Sequence, residues 1–452
     1  MNTASHDKAS QLQSNKVLRG RLLDFVRKPE SLEDITSYRY EEDGGLWLVD
    51  GKIKARGDFA SIKALAEKEN AALQVKTEVI DHSGKLIMAG FIDNHIHFPQ
   101  TQVIGSYGTQ LLDWLNLYTF PQELRYADQD FADKMAQHFL QMLFDHGTTT
   151  AVSFCSVHKQ SAQALFQAAD KRSMRLIAGK VMMDRNAPQG LCDTPQSSLD
   201  DSQELIAQWH NKGRLHYAIS PRFAITSTPE QLLMAQELRK NNPDCYLQTH
   251  LSENHEEIAL SKQLYPEARD YFDIYQHYGL VGERSLFGHC IHLEERERAA
   301  MAETGSVAVF CPTSNLFLGS GLFDLQGLES QGLRTAIATD VGGGTNFSML
   351  RSLDEGYKIL QLRSQKLNPL HAFYWITLGN ACALGLERHI GTLSQDSDAD
   401  LVVLDSSATA AMEMRMQCVE TLEQELFMLQ TMADDRAIIQ TYCAGVAQKK
   451  PL

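Results

Sequence analysis

The chain has 452 residues, of which 43% are hydrophobic and 22% are charged, so it is long enough for one large globular domain and a smaller one. Its formal net charge of −15 argues against nucleic acid and anionic membranes as partners, because both are bound by clustered Lys and Arg. The eight cysteines are scattered singly without a CxxC pair, which disfavours a cysteine zinc site and fits a reduced, cytoplasmic compartment.

The first sixteen residues are polar and lack the apolar core of a signal peptide, and no run of apolar residues is long enough to predict a transmembrane helix. Residues 17 to about 88 then contain short β-like runs, among them LWLVDGKIKARGDF around the turn at Asp50–Gly51. A helical patch, DFASIKALAEKENAAL, interrupts these runs.

From residue 88 to about 392, short apolar runs alternate with amphipathic stretches of helical period. The runs cover residues 86–97, 148–156, 175–184, 215–223, 246–253, 285–292, 306–315 and 334–340. Alternating strands and helices form parallel βαβ units, and eight such units predict an α/β fold of the (β/α)₈ TIM-barrel type. A doubly wound open sheet is the alternative, but its Gly-rich phosphate loop after the first strand is missing.

From residue 393 onward the pattern becomes β-like again, in DADLVVLD and AIIQTYCAGVAQ. We expect this tail to join the N-terminal strands in one small composite β-sandwich domain. The predicted organisation is therefore 1–87 and 393–452 as the two parts of that domain, with the barrel at 88–392.

The strongest local signal for a metal site is His95-x-His97 at the end of the first barrel strand, where residues two apart point to one face. His250, His289 and Asp340 stand near the ends of three later runs. In a TIM barrel all strand carboxyl ends meet on one face, so these side chains are expected to surround one axis. Taken singly, His250 or His289 is better explained as a hydrogen-bonded structural histidine than as a ligand. Together with the His95–His97 pair and a carboxylate, they suit Zn²⁺, with Fe²⁺ possible.

Glu253 follows His250 by three residues, at the point where the strand opens into a loop. A carboxylate held above a metal but not bound to it is what hydrolytic deamination needs, because a ring nitrogen must gain a proton and an amine must leave. The structural alternative is a carboxylate near the start of a helix capped by Ser252, and both roles can coexist. Asp340 can ligate and accept a proton from water, and His289 can ligate or orient that water.

The segments FIDNHIH, HLSE, GHC and ATD resemble the metal-dependent amidohydrolase superfamily. Longer motifs between residues 86 and 392 are similar to the guanine deaminase family within it. These motifs are HIHFPQ (95–100), YGTQLLDWLNLYTFP (107–121), GTTTA (147–151), GKVMMD (179–184), SPRF (220–223), HLSEN (250–254), CPTSNLFLGSG (311–321) and TDVGGGTNFSML (339–350).

The resemblance implies a homodimer that converts guanine to xanthine and ammonia with one Zn²⁺ per subunit. It implies the metal ligands His95, His97, His250 and Asp340, and the catalytic residues Glu253, Asp340 and His289. It also implies that the substrate is contacted by His97, Gln100, Arg222, Phe223, His250 and Asp340. The chemistry fits, since Arg222 offers donors to the carbonyl oxygen of guanine, Gln100 can donate and accept, and Phe223 offers an apolar wall.

Other members of the superfamily hold two metals through a carboxylated lysine near the end of the fourth strand. Here the fourth run ends in SPRF, with Arg222, and Lys180 on the third run is poorly placed as a bridge, so one metal is expected. Two other functions remain open: hydrolysis of another aminated heterocycle on the same barrel, and a barrel that binds partners without catalysis.

Overall fold

The computed structural model describes residues 15–108 and 110–449. Within these ranges, no helix is both long enough and apolar enough to cross a membrane. The prediction that the first sixteen residues carry no signal peptide lies, up to residue 14, outside the described residues.

The described strands are β1 (Asn15–Phe25), β2 (Tyr38–Val49), β3 (Lys52–Asp58), β4 (Glu78–Ala89), β5 (Phe91–His97), β6 (Thr148–Phe154), β7 (Arg175–Gly179), β8 (Val181–Met182), β9 (Leu215–Pro221), β10 (Tyr246–Leu251), β11 (Ser285–His289), β12 (Val307–Phe310), β13 (Arg334–Ile337), β14 (Leu401–Leu404), β15 (Ile438–Cys443) and β16 (Val446–Ala447).

The described α-helices are Phe59–Ala72, Leu111–Trp114, Phe120–Glu123, Gln129–Asp145, Lys159–Arg172, Pro195–Trp209, Pro229–Asn241, His255–Leu264, Tyr271–His277, Glu295–Thr304, Pro312–Phe317, Leu325–Ser330, Met349–Leu362, Pro369–Tyr374, Asn380–Leu384, Ala410–Met416 and Leu422–Met432. Two π-helical turns, Leu115–Thr119 and Trp375–Gly379, connect neighbouring helices.

Eight parallel strands pair in the order β5, β6, β7, β9, β10, β11, β12, β13, with the short β8 beside β9. This confirms the predicted TIM-type barrel. One detail of the prediction was wrong: residues 86–89 belong to β4 of the other sheet, and Gly90 separates them from β5. A Cβ at Gly90 would lie 2.3 Å from Oγ1 of Thr149, so only glycine fits where the chain passes from one sheet to the other.

The barrel is closed between β5 and β13 mainly by side chains. Thr339 donates its backbone N–H and its hydroxyl to the two oxygens of Asp93, at 3.1 and 2.5 Å. The Asn380 amide donates to the backbone oxygens of Ile92 and Ile337, at 2.7 and 2.8 Å. These contacts fix the relative position of the two strand ends that carry predicted metal ligands.

The inward-facing side chains of the strands fill the barrel. Ile92, Val152, Ile177, Ala218 and Leu286 belong to one buried apolar cluster. The strands of a parallel barrel are covered on both faces, which is why β5 and β6 are buried at every position.

The second sheet is mixed, with the strand order β16, β15, β14, β4, β1, β2, β3. It combines N-terminal and C-terminal strands, as expected for a composite β domain, while the exact limits at residues 87 and 393 stay a prediction. Two helices in the C-terminal part, Ala410–Met416 and Leu422–Met432, were not predicted.

Candidate active site

The five predicted metal-site residues all lie at the carboxyl ends of barrel strands and meet at one point. Nε2 of His97 is 3.2 Å from both Oδ1 of Asp340 and Nε2 of His250. Nε2 of His95 is 3.4 Å from Oδ1 of Asp340, and Nε2 of His289 is 3.8 Å from Oδ2 of the same residue. Ligand atoms of His95, His250, His289 and Asp340 all lie within 4.8 Å of one another.

The donor set fits a divalent cation. Nε2 of His95 is buried and has no hydrogen-bond partner among the residues that the structure describes. Nδ1 of His250 donates to the backbone oxygen of Arg222 at 2.6 Å, so a neutral ring keeps Nε2 unprotonated and free to ligate. Burial lowers the pKa of His97 and places the pKa of His250 well below its ordinary value, so both rings are neutral.

Asp340 supplies the negative charge of the cluster. Burial alone would raise the pKa of its carboxyl, but contacts with His95 and His97 hold that pKa well below its ordinary range. Its backbone N–H donates to the backbone oxygen of His95 at 2.9 Å, across the barrel seam. Three imidazoles and one carboxylate form the kind of site that zinc and other first-row metals occupy.

Four described residues at these strand ends adopt left-handed backbone conformations, which are uncommon outside glycine. Their φ angles are 52° at Ser252, 72° at His289, 53° at Cys290 and 51° at Asp340. Such conformations cost free energy and cluster at functional sites, where they turn a side chain out of the regular strand direction.

Asn315 contacts the imidazole of His289, with its Nδ2 2.9 Å from Nδ1 of the ring. Because an amide nitrogen only donates, Nδ1 accepts, and the neutral ring carries its proton on Nε2. That N–H faces Oε2 of Glu253 at 3.3 Å as well as Asp340. Burial lowers the pKa of His289 to about 3, which agrees with a neutral ring.

Glu253 is buried beside the cluster. The hydroxyl of Ser320 donates to its Oε1 at 3.1 Å. Burial, reinforced by the nearby charge of Asp340, raises the pKa of Glu253 well above its ordinary value, so the carboxyl can hold a proton.

The expectation that Ser252 caps the following helix was wrong. The N-cap is Asn254, whose side chain accepts from the backbone N–H of Glu256, and the helix begins at His255. Glu257, not Glu253, completes the capping box, because its Oε2 accepts the backbone N–H of Asn254 at 3.2 Å. Glu253 is therefore outside the helix, with its carboxyl turned to the metal cluster.

A small cavity opens over the cluster. Besides the cluster itself, its wall contains Gln100, Leu111, Trp114, Leu115, Arg222, Phe223, Glu253, Leu318 and Gly343. The structure thus brings the predicted substrate contacts Gln100, Arg222 and Phe223 to the cluster. The apolar side chains from Leu111 to Leu115 belong to a motif quoted above, but no role was predicted for them.

Lys180 is not among the described residues that line the cavity. Its ammonium group pairs with the carboxylate of Asp193 and donates to the backbone oxygen of Val181. Both partners of the Lys180 ammonium group are therefore close to it in sequence, which agrees with the interpretation that Lys180 does not bridge two metals.

Glu123 was missed entirely by the sequence analysis. It is buried behind the cavity wall, where its two oxygens accept from Nη1 of Arg222 at 2.9 and 2.8 Å. Its Oε1 also accepts from Nε2 of Gln100 at 3.1 Å. The motif at 107–121, which the sequence analysis did single out, ends two residues before Glu123.

The chain is similar to known proteins over most of its length. The model of the amidohydrolase family matches residues 86–447. The guanine deaminase of Escherichia coli (strain K12) is 47% identical over 433 residues, which are 95% of this chain and 97% of that protein. The solved E. coli guanine deaminase superposes with a TM-score of 0.90 at 47% identity, covering 96% of this chain and 99% of the other.

A guanine deaminase from C. acetobutylicum, solved with guanine bound in its active site, has a TM-score of 0.84 at 28% identity. The similarity covers 96% of this chain and 100% of that one. Together with the match of the family model over most of the sequence, these similarities show that the chain belongs to the amidohydrolase family.

Proposed function

We propose that this protein hydrolyses guanine to xanthine and ammonia with one Zn²⁺ per subunit. The observation that carries the proposal is the cluster of histidines and one carboxylate with Glu253 beside it, at the floor of a cavity walled by Arg222 and Gln100. The proteins to which the chain is similar over nearly its whole length are named guanine deaminases, and one of them was solved with guanine in its active site.

The proposed metal ligands are His95, His97, His250 and Asp340. When bound, Zn²⁺ supplies Lewis acidity and brings the pKa of water to about 7, so that a nucleophile exists near neutrality. The donor set accommodates Fe²⁺ as well. His289 carries its proton on Nε2 and is assigned to orient the attacking water rather than to ligate.

Proton transfer is assigned to two carboxylates. Asp340 faces the cavity and accepts a proton from the attacking water. Glu253 gives its proton to the ring nitrogen beside the reacting carbon, takes up the proton of the hydroxyl that the attack creates, and passes it to the departing amine. The proton that Asp340 accepted then restores Glu253. These transfers suit a carboxyl whose pKa is raised by burial. The hydroxyl of Ser320 and the Nε2 proton of His289 hold the Glu253 carboxyl in place.

Arg222, Gln100 and Phe223 are assigned to substrate binding, together with His97, His250 and Asp340. The Arg222 guanidinium donates to the carbonyl oxygen at position six of guanine. Phe223 is buried with its ring centroid 6.0 Å from that of His250, so it forms an apolar wall close to the cluster.

We also propose a cytoplasmic homodimer. The eight cysteines are all free, which suits a reducing compartment. Light scattering coupled to gel filtration measures the assembly, and a mass equal to one chain would contradict the dimer.

The decisive experiment is an ultraviolet assay with metal-loaded protein on a panel of aminated purines, pterins and pyrimidines. We expect xanthine from guanine and far slower turnover of adenine and cytosine. Chelation should abolish turnover, and metal analysis after addition of Zn²⁺ should give one ion per chain. If guanine is untouched while another aminated heterocycle is consumed, the substrate assignment is wrong.

A further inference from the structure

Glu123 is a buried carboxylate to which the proposed reaction assigns no role. It ends the helix Phe120–Glu123 and is 1% exposed, with Arg222 at 3% on one side and Gln100 at 2% on the other. A buried carboxylate is tolerated only when its charge is matched and its oxygens accept hydrogen bonds. Here both requirements are met by side chains that also line the cavity.

Glu123 determines which polar atoms these two side chains can offer to a ligand. It occupies Nη1 of Arg222 and Nε2 of Gln100. Within residues 15–108 and 110–449, Nε and Nη2 of Arg222 donate to no protein acceptor, and Oε1 of Gln100 accepts no protein donor. The amide of Gln100 is therefore fixed with its donor toward Glu123 and its acceptor available.

The backbone beside Gln100 makes room for this orientation. A Cβ at Gly342 would lie 1.8 Å from Oε1 of Gln100, so the carbonyl oxygen lies directly against a position that must be glycine. The next residue, Gly343, lines the cavity. The free carbonyl of Gln100 therefore lies one residue from Gly343 of the cavity wall, and Gln100 and Arg222 line the same cavity.

A wall with a free donor and a free acceptor is complementary to a lactam edge, in which a carbonyl oxygen accepts and the neighbouring ring N–H donates. A 6-oxopurine has this edge in its C6 carbonyl and N1–H. A 6-aminopurine has the reverse, with a donating amino group and an accepting N1. In this cavity the amino group of a 6-aminopurine would face the donors of Arg222, and its N1 would face the acceptor of Gln100. These buried polar groups would stay unpaired, and that cost lets a polar site discriminate strongly against an analogue.

We propose that Glu123 is a positioning residue that sets specificity for 6-oxopurines by fixing Arg222 as donor and Gln100 as acceptor. The inference rests on the proposed purine substrate and adds the reason why the oxygen at position six is required. Glu123 itself lies behind these two side chains and has no assigned contact with the substrate.

The test is Glu123→Gln, measured with guanine and with 2,6-diaminopurine, which share the reacting amino group and differ at positions one and six. The introduced amide can donate to Oε1 of Gln100, so both orientations of the Gln100 amide become satisfied. We expect the ratio of kcat/KM for guanine to that for 2,6-diaminopurine to fall by about 10- to 100-fold, the range that corresponds to one charged hydrogen bond.

Glu425→Gln is the matched control. Glu425 is likewise buried and accepts from both terminal nitrogens of one arginine, Arg21, in the composite β domain. This variant should lower stability without changing the substrate ratio. A purely structural role for Glu123 would lower both kcat/KM values equally and leave the ratio unchanged, and that result would overturn the inference.

A measurement on the unmodified protein keeps the inference testable if Glu123→Gln does not fold. Hypoxanthine presents the lactam edge without the reacting amino group, and adenine presents the reversed edge. Hypoxanthine should compete with guanine at least tenfold better than adenine does, and equal competition would overturn the inference. Absence of guanine turnover in the unmodified protein would instead overturn the proposed function.

Discussion

Oε2 of Glu253 lies 3.3 Å from Nε2 of His289, and both groups are buried at the floor of the cavity. With Asn315 donating to the other ring nitrogen, the imidazole presents a proton to this carboxyl. The side chains of His289 and Ser320 therefore fix the position of this carboxyl beside the cluster.

Glu253→Gln should keep the metal and lose most of the turnover. The amide preserves the size of the side chain but cannot carry a proton between water, ring nitrogen and amine. A loss of about 10²- to 10⁴-fold in kcat is expected, the usual contribution of a general acid–base residue. Xanthine formation and metal content should be measured on the same preparation.

The matched control is Glu256→Gln, at an exposed position in the first turn of the next helix. This control should keep both activity and metal. Parallel loss of metal and activity in Glu253→Gln would show that Glu253 is a ligand.

Gly288→Ala should weaken metal binding without changing any ligand. A Cβ at Gly288, on β11, would lie 2.5 Å from Cε1 of His95, so the ring must move. Displacing a group that supports a ligand typically costs 10- to 100-fold in metal affinity. Competition for Zn²⁺ with a chromophoric chelator measures the change.

Gly356→Ala tests whether any added methyl group has the same effect. This glycine is also buried, but the nearest atom to its added Cβ is Cε1 of Phe310 at 3.3 Å, far from the cluster. Its metal affinity should equal that of the unmodified protein. Unchanged affinity in Gly288→Ala would mean that His95 is not a ligand or that its ring tolerates the shift.

The convergence of the candidate ligands could be predicted from the sequence because of a geometric regularity. Strand ends of a parallel barrel converge, so His95, His250 and Asp340 needed only correct strand assignments to be placed together. Glu123 could not be found this way. It lies on a short helix whose position depends on packing against the cavity wall, and no periodicity in the sequence encodes that packing.

The two remaining errors, in the position of a helix cap and in the limits of a strand, have local causes. Ser252 and Asn254 are both good helix caps, and the sequence does not reveal that the backbone at Ser252 is left-handed, with φ of 52°. The split at Gly90 was hidden because β4 and β5 form one continuous apolar run, although they belong to different sheets.

Arg222→Ala should reduce both activity and stability. The substrate loses its donor, which should lower kcat/KM for guanine by about 10- to 100-fold. Glu123 is left as an unpaired buried charge, which typically costs about 3–5 kcal/mol of stability. Urea unfolding and steady-state kinetics measure the two effects separately.

The double variant Glu123→Ala with Arg222→Ala separates the two consequences, because it removes the unpaired charge as well. Stability should recover in part, whereas activity should stay low. Full stability in Arg222→Ala alone would show that Glu123 finds another partner or a proton.

Asp398→Asn tests the connection between the barrel and the composite β domain. The buried carboxylate of Asp398 accepts from Lys52 at 2.6 Å and Arg175 at 2.7 Å, with Arg214 at 3.4 Å. Burial opposes the charge, but Arg214 and Arg175 prevail and lower its pKa from 3.8 to about 2. A lowered pKa stabilises the folded state above pH 3.8, and this contribution is lost as the pH falls toward 2.

Asp398→Asn should therefore lower the free energy of unfolding at neutral pH by about 2 kcal/mol, because folding lowers the pKa of this carboxyl from 3.8 to about 2. The difference from the unmodified protein should shrink below pH 4, because the carboxyl begins to take up protons there. Urea unfolding of metal-free protein across this range measures it without interference from metal loss. Asp43→Asn, at an exposed ion pair with Arg19, should cost less than about 1 kcal/mol. A cost at Asp398 that does not change with pH would mean that packing, and not the charge, holds this junction.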